Sequence, residues 1–578
     1  MRTRTFCVRV GLVAAACAVA AQGAASAANI GTAAKPTTPV HATKADVAPG
    51  RMYSAPTFAV DPKDPMRVVA GYADLLTRRC GLLRSTDGAA TWRIVEAPPA
   101  AATYPFCVQP QGSVMQAPVA FGRNGTLYMA LGGWDDQDGA RTGGAILLAR
   151  SKNLGDSWET TVVYTARGKQ GDVAENVRPI HSLAVDTKTG NDDVVYVTFN
   201  LAKPGFVAPN QVPSTPMVAA STDGGRTFGA PADLSAKVFD APALRDQALT
   251  ARTTTTLAPG ATTTTTVAPA AGSKAAEPNQ AANFGGSTGR FGIVAGVDNK
   301  GTAYVLWQSG VANITPAPPA AQFVSTSKDR GKTWSPAMAI PFSYDNATPR
   351  VAISPAGVIH IVTQRNPRPE LNGNGEIFHR ASSDGGKTWT EPKNVTDDDP
   401  NRLFGQYFPN ISVAPNGRVD VVWWDTRDDV GIRSNDEYYS YSADDGKTWS
   451  KNVRITDQSV DRRYGVWGFN YDIASPPGVG SADEYAIFGW DDTRNTDFEN
   501  TGAVSGFGAG TQDIYTSAVQ FAALGTGTSS TAKAVLAGVI GLLAIGLVLL
   551  GVALVSRRGS PPAAKKTAAT KKEAAAKV

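Results

Sequence analysis

An all-β chain folded as a β-propeller is expected from a short motif that returns along the sequence and from the strand rhythm around it. The octapeptide Ser-x-Asp-x-Gly-x-Thr-Trp occurs six times, as STDGAATW from Ser85, SKNLGDSW from Ser151, STDGGRTF from Ser221, SKDRGKTW from Ser327, SSDGGKTW from Ser382 and SADDGKTW from Ser442. Each copy has hairpin chemistry: an Asp or Asn that accepts turn amide hydrogen bonds, small residues that tolerate positive φ, and a terminal aromatic to bury. Successive starts lie 66, 70, 106, 55 and 60 residues apart. One hairpin per such interval is the spacing of a repeated four-stranded unit.

The segments ahead of each box read as further strands, being short runs of Val, Ile, Tyr and Trp punctuated by Gly, Pro and Asp. Pro409 to Trp449 places strands near Ile411–Ala414, Val419–Trp424 and Glu437–Ser442, and Pro349 to Trp389 has the same order. A last unit (Tyr471-Asp-Ile-Ala, Glu484–Trp490, Asp513–Gln520) has no box and lacks an outer strand, which Gly50–Ser54 is expected to supply. Repeat count favours seven blades, with six as the alternative. The 58 Gly and 38 Pro suit a fold dense in turns. A propeller also accommodates a chain too long for one simple core.

The ends predict the compartment. Residues 1–27 have the order of a secretory signal: Arg2, Arg4 and Arg9, an apolar stretch, then Ala25-Ser-Ala27. Cys17 follows Ala14-Ala-Ala, a poor lipid-attachment sequence. Ala534 to Val555 is an uncharged run of 22 residues, long enough to span a bilayer as a helix, and the basic 556–578 tail is expected in the cytoplasm. The expected organisation is therefore signal 1–27, linker 28–49, propeller 50–522, spacer 523–533, membrane helix 534–555 and tail. The propeller would be extracellular, on a single-pass cell-membrane protein. Residues 229–289 form a Thr/Pro/Ala-rich insert that cannot bury a core.

Charge and cysteines follow from this plan. The tail carries +6 and the signal +3 of a total of +5, which leaves about −4 for the rest. The basic balance thus belongs to membrane topology, and nucleic acid is not an expected partner. Cys7 and Cys17 leave with the signal, so Cys80 and Cys107 are expected to pair as a disulfide. Four histidines argue against a His-based metal site. Asp425, Asp428 and Asp429, or Asp491 and Asp492, offer hard oxygens to Ca²⁺ but lack the spacing of a known loop. No cofactor is expected, and a monomer is.

The boxes resemble the Asp-box (bacterial neuraminidase, BNR) repeats of the sialidase superfamily, over about Pro56 to Phe521. In that family the box is structural, so Asp87, Asp223, Asp329, Asp384 and Asp444 are expected to hold hairpins, not substrate. Chemistry is expected where the first strand of each blade begins and the second ends. Gln116, His181, Arg290, Arg350, Asn410, Tyr471 and Asp472 stand at the former positions; Asp74, Arg78, Arg79 and the runs from Trp134, Trp424 and Trp490 stand at the latter.

The family's sialidases hold a sialic acid carboxylate with three arginines and attack with a tyrosine activated by a glutamate, outside the usual two-carboxylate scheme. By resemblance, Tyr471 is the nucleophile and Asp74 the acid. Arg78, Arg79, Arg350, Arg427 and Arg494 are the substrate ligands; no glutamate stands out as the tyrosine's partner, Glu376 and Glu437 being the options. The family's Arg-Ile-Pro signature is replaced by Arg51-Met-Tyr-Ser-Ala-Pro. Arg427 and Arg494 have an alternative role, pairing with Asp425 and Asp492 at strand ends. Three functions stay open: a sialidase-type exoglycosidase, a non-catalytic glycan- or protein-binding propeller, and a hydrolase or lyase of another polysaccharide.

Overall fold

The computed structural model describes residues 33–46, 51–95, 98, 104–108, 116–134, 144–166, 176–202, 213–234, 287–288, 293–309, 321–340, 350–365, 375–398, 405–429, 433–465, 475–496 and 510–522. Among these there is no helix, and none therefore long and apolar enough to cross a membrane. The expected signal, membrane helix and tail, and most of the Thr/Pro/Ala insert, lie outside the described residues.

The described strands form a seven-bladed β-propeller. Blade 1 comprises Tyr53–Asp61, Asp64–Asp74, Arg79–Ser85 and Arg93–Val95. Blade 2 comprises Val119–Phe121, Leu127–Gly133, Ala145–Ser151 and Glu159–Thr165. Blade 3 is Asn176–Asp186, Val194–Ala202, Pro213–Ser221 and Ala232–Asp233. Blade 4 is Ile293–Val297, Ala303–Ser309, Ala321–Ser327 and Met338–Ile340. Blade 5 is Arg350–Ile353, Ile359–Arg365, Glu376–Ser382 and Lys393–Asn394. Blade 6 is Gln406–Val413, Val419–Asp425, Ser434–Ser442 and Val453–Arg454. Blade 7 is Gly478–Ser481, Tyr485–Asp492 and Asp513–Phe521. Within each blade the strands are antiparallel, and each innermost strand touches the innermost strands of both neighbours, closing a ring.

Closure corrects one expectation. The outer strand of blade 7 is Ala33–Pro36, paired with Asp513–Phe521 through Ala33↔Phe521 and Pro36↔Val519. It is not Gly50–Ser54; Met52 only bridges Gln512, and Tyr53 already opens blade 1. A strand thus falls inside 28–49, the stretch expected as linker. An outer strand contributes chiefly backbone hydrogen bonds, so it needs none of the β-branched pattern that marks inner strands. The dipeptide Val40–His41 pairs with the same strand, and Asp513 locks the segment down. Its carboxylate accepts from Arg51 Nε (2.6 Å) and Nη2 (2.8 Å), and from Thr43 Oγ1 (3.1 Å). His41 lies 3.3 Å away and stacks on Tyr515.

The core is distributed among the seven seams. Leu82 and Val69 of blade 1 meet Leu127, Met129 and Leu147 of blade 2, and equivalent clusters repeat around the ring. Trp134, Trp307, Trp423, Trp424 and Trp490 are fully buried in them. Each large apolar side chain so placed is worth about 1.5–3 kcal/mol. Between blades 7 and 1, Phe58 occupies space left by Gly478, Gly480 and Gly489; a Cβ on Gly489 would sit 2.4 Å from its ring.

The six octapeptide hairpins join third to outer strands and share one geometry. The serine hydroxyl donates to the Asp or Asn at the third position and accepts from the backbone amide of the fifth, as in Ser382 with Asp384 (2.9 Å) and Gly386 (2.8 Å). The carboxylate then accepts from the threonine amide and hydroxyl, 2.9 and 2.6 Å for Thr388. Ser85/Asp87/Thr91, Ser221/Asp223/Thr227, Ser327/Asp329/Thr333 and Ser442/Asp444/Thr448 repeat it, and Asn153 takes the acceptor role in the second copy. Fourth and fifth positions are left-handed in every copy, which explains the glycines there.

Candidate functional site at the mouth of the ring

Because every blade has the same strand order, the starts of the first strands and the ends of the second lie on one face, and the octapeptide hairpins on the other. Register fixes this: Tyr53 pairs with Asp74 and Gln406 with Asp425 at the open end of the inner hairpin, whereas Ser85 pairs with Val68 at its opposite end. Tyr471, Asp472 and Arg290 lie outside the described residues, as do the five residues after Trp134.

Arg350, the first residue of blade 5, reaches into the centre of this face. Its Nη1 donates to Gln116 Oε1 at 3.2 Å, and Gln116 leads into blade 2, on the far side of the axis. Arg350 is half-buried and has no carboxylate partner among the described residues. Burial lowers its pKa to about 10, so it stays charged at neutral pH. A partly desolvated cation that meets a neutral amide and no described carboxylate is a receptive site for an anion.

The other arginines are differently placed. Arg427 is held by Asp425, with Nε–Oδ2 at 2.8 Å, by Asp397 at 3.2 Å and by Asn452 at 3.1 Å, with its guanidinium 4.3 Å from the Tyr438 ring centre. Arg494 repeats the arrangement with Asp492 and Asp457, both at 2.8 Å, over Tyr515. Trp423 and Trp490 donate their indole N–H to Asp425 and Asp492. The shared Trp-x-Asp-Thr-Arg sequence is therefore a strand-end lock, and its repetition in two blades was the sign of that role. Arg78 packs 4.1 Å over Phe106 and donates Nε to Val108 O, beside the Cys80–Cys107 disulfide, whose Cα atoms are 5.8 Å apart. Arg79 is exposed at the start of a third strand. No contact joins these arginines to Arg350 among the described residues.

Asp74 closes the second strand of blade 1, half-buried, and accepts from Thr77 Oγ1 (2.5 Å) and from the amides of Leu76 and Thr77. Burial raises its pKa against these bonds, the direction needed for an acid. Two carboxyls that sequence reasoning underweighted are more strongly perturbed. Asp491 is fully buried between blades 7 and 1, accepting from Ser475 Oγ (2.6 Å), Ser54 Oγ (2.8 Å), Gln512 Nε2 (3.0 Å) and the Ala55 amide (3.2 Å). Burial nonetheless carries its pKa to about 7. Glu437, facing blade 7, is fully buried, and neither of its oxygens is hydrogen-bonded among the described residues; burial first, and the Asp491 charge second, push it well above the usual range. Glu376 instead binds Asn394 at an exposed position. The described residues hold no cluster of three His, Cys, Asp or Glu side chains able to take a metal ion.

No family model matches this chain, and no curated protein is similar to it. Solved structures with a related fold include a Hadza microbial sialidase, with 15% identity, TM-score 0.37, and coverage of 73% of this chain and 71% of that one. The Trypanosoma rangeli sialidase, solved as a covalent intermediate with 2,3-difluorosialic acid, gives 12% and 0.38, with 72% and 56% covered. A polysaccharide lyase acting as an ulvan lyase gives 12% and 0.41, with 78% and 93% covered. These are distant likenesses of fold, and no activity is carried over from them.

Proposed function

We propose that this propeller recognises an acidic glycan at the mouth of its ring, with Arg350 as the ligand of a sugar carboxylate. The observation that carries the reading is the half-buried Arg350 guanidinium, which among the described residues meets the Gln116 amide from across the axis and no carboxylate. A carboxylate arriving there would replace a neutral contact with a charge-assisted one, worth about 1.5–3 kcal/mol. The expected secretory signal and C-terminal anchor would display this mouth outside the cell, towards surface glycoconjugates.

In the catalytic form of the proposal the protein is a sialidase-type exoglycosidase. Tyr471 attacks the anomeric carbon and passes its phenolic proton to a glutamate (Glu376 or Glu437 in the expected pairing) while Asp74 protonates the leaving oxygen. Water, deprotonated by Asp74, then displaces Tyr471, which recovers its proton, and the sugar is released. A neutral phenol suits attack on an anionic sugar better than a carboxylate does. A specific observation favours a second reading, a propeller that binds without cleaving: Arg427 and Arg494 are consumed in local ion pairs, and the described residues bring no other arginine to Arg350. Incubating the full-length protein with a fluorogenic sialoside separates the two. Turnover that disappears in Tyr471→Phe supports the enzyme. Turnover that survives that change removes Tyr471 from the mechanism, and no turnover with retained sialoside binding selects the binding module.

A further inference from the structure

On the face opposite the mouth, a groove of about 630 Å³ runs between blades 4 and 5, and three separate hairpins each present a lysine to it. Lys300 comes from the turn between the first two strands of blade 4, Lys328 from the octapeptide hairpin of blade 4, and Lys387 from that of blade 5. All three are exposed, and none has an ion-pair partner among the described residues. Two carboxylates also line the groove, but their acceptor positions are taken from within. Asp298 accepts from the amides of Lys300 and Thr302, both at 2.8 Å, and from Tyr304 Oη at 3.0 Å. Asp384 accepts from Ser382, Lys387 N and Thr388. The groove therefore carries three exposed ammonium groups against two carboxylates whose oxygens are already engaged by turn donors, an excess of positive charge. Its volume lies within the range of about 300–1,000 Å³ usual for small-ligand sites.

We propose that this groove is a second, non-catalytic binding site for an anionic sugar chain, whose carboxylate or sulfate groups pair with Lys300, Lys328 and Lys387. The site is independent of the mouth: it lies on the other face and uses none of its residues. Lysine supplies point charges without the fixed fork of arginine, so it accepts sulfate and carboxylate alike. Such a site would hold the propeller on an acidic polymer while the mouth addresses chain ends, and the gain would come from effective concentration.

The test is calorimetric titration of the full-length protein carrying Arg350→Ala, which removes the mouth's anion ligand from the signal. Probes are a hyaluronan tetrasaccharide (carboxylate only), a chondroitin sulfate tetrasaccharide, neutral maltotetraose and an eight-residue thymidine oligonucleotide. Binding of at least one acidic sugar is expected, weakened by added salt. The combined Lys300→Ala, Lys328→Ala, Lys387→Ala change should lower affinity by about tenfold, because exposed ion pairs are individually weak and three together reach that factor. The corresponding Lys→Arg set should keep it. Whether sulfate or carboxylate is the natural group follows from which acidic probe binds tighter. Equal binding of maltotetraose, unchanged affinity in the triple alanine variant, or absence of binding by both acidic sugars overturns the proposal. Tighter binding of the oligonucleotide than of either sugar overturns its ligand class. Failure of the mouth reading would show separately, as sialoside binding indifferent to Arg350.

Discussion

Asp384 shows what one position in the repeated hairpin contributes. Its carboxylate takes the Thr388 amide and hydroxyl, and these bonds hold its pKa down to about 2. Asp384→Ala should lower the melting temperature by an amount equivalent to about 1–2 kcal/mol, since the bonds are solvent-exposed and the turn can recruit water. Asp384→Asn should cost less, because Asn153 fills the same place in the second hairpin and still accepts from the Ser157 amide at 2.9 Å. Equal losses from both changes would show that charge, not the acceptor oxygen, holds the turn. This chemistry was legible in the sequence, because the geometry is local and every participant lies within eight residues. Asp491 was not, since its partners Ser54, Ser475 and Gln512 come from distant parts of the chain. Its pKa is raised in the folded state to about 7, so the native protein holds a proton that the unfolded chain releases near pH 4. This group's contribution is therefore fully present below about pH 4 and is lost as pH rises through 7. Asp491→Asn should flatten the stability profile between those limits and raise the melting point at pH 8 relative to the parent. A variant whose profile parallels the parent's would mean that Asp491 is ionised throughout.

The seams decide how the blades hold together. Arg418 and Asp420, both fully buried, form a two-pronged pair (2.8 and 3.0 Å) at the boundary of blades 6 and 7. Arg418 also donates to the carbonyls of Ala482, Asp483 and Tyr485 in blade 7 and lies 3.7 Å over Phe521. Tyr439 and Ser481 satisfy the rest of Asp420. Removing one partner of such a pair leaves a buried charge, so Arg418→Ala should cost about 3–5 kcal/mol in chemical unfolding. Replacing both, as Arg418→Met with Asp420→Leu, should cost less than the single change. A double variant worse than the single one would contradict the assignment. The strand pattern of each blade could be read from alternation and turn residues, but the seam contacts could not, because they join residues some 65 positions apart. The closing strand escaped for a different reason. Ala33–Pro36 sits in a tract of Ala, Pro and Thr whose composition says spacer, while its place in the ring is set by backbone pairing and by the Asp513 lock with Arg51 and His41. Asp513→Asn should release that lock and expose 33–46 to proteolysis before the rest of the ring unfolds. Cleavage there at the parent's rate would show that strand pairing alone holds the segment.

At the scale of the molecule, blade number was readable because six hairpins of fixed chemistry mark six junctions between third and outer strands. The seventh blade lacks a hairpin because its outer strand arrives from the other end of the chain. The mouth was legible as a face and not as a constellation. Strand order told which residues gather there, whereas the capture of Arg427 and Arg494 by Asp425 and Asp492 depends on side-chain directions at strand ends. Among the described residues, what remains at the centre is Arg350, opposite Gln116, with Asp74 on the same face. On the proposed function, a receptive cation at this place is suited to reading an acidic group on a sugar. The most direct measurement is a titration of the full-length protein with an α-sialoside and with the methyl ester of the same sugar, repeated for Arg350→Ala. The parent should prefer the free acid by about tenfold or more, and Arg350→Ala should bind acid and ester alike. Equal affinities in the parent, or a preference that survives the loss of Arg350, would contradict recognition of an acidic glycan at the mouth of the ring.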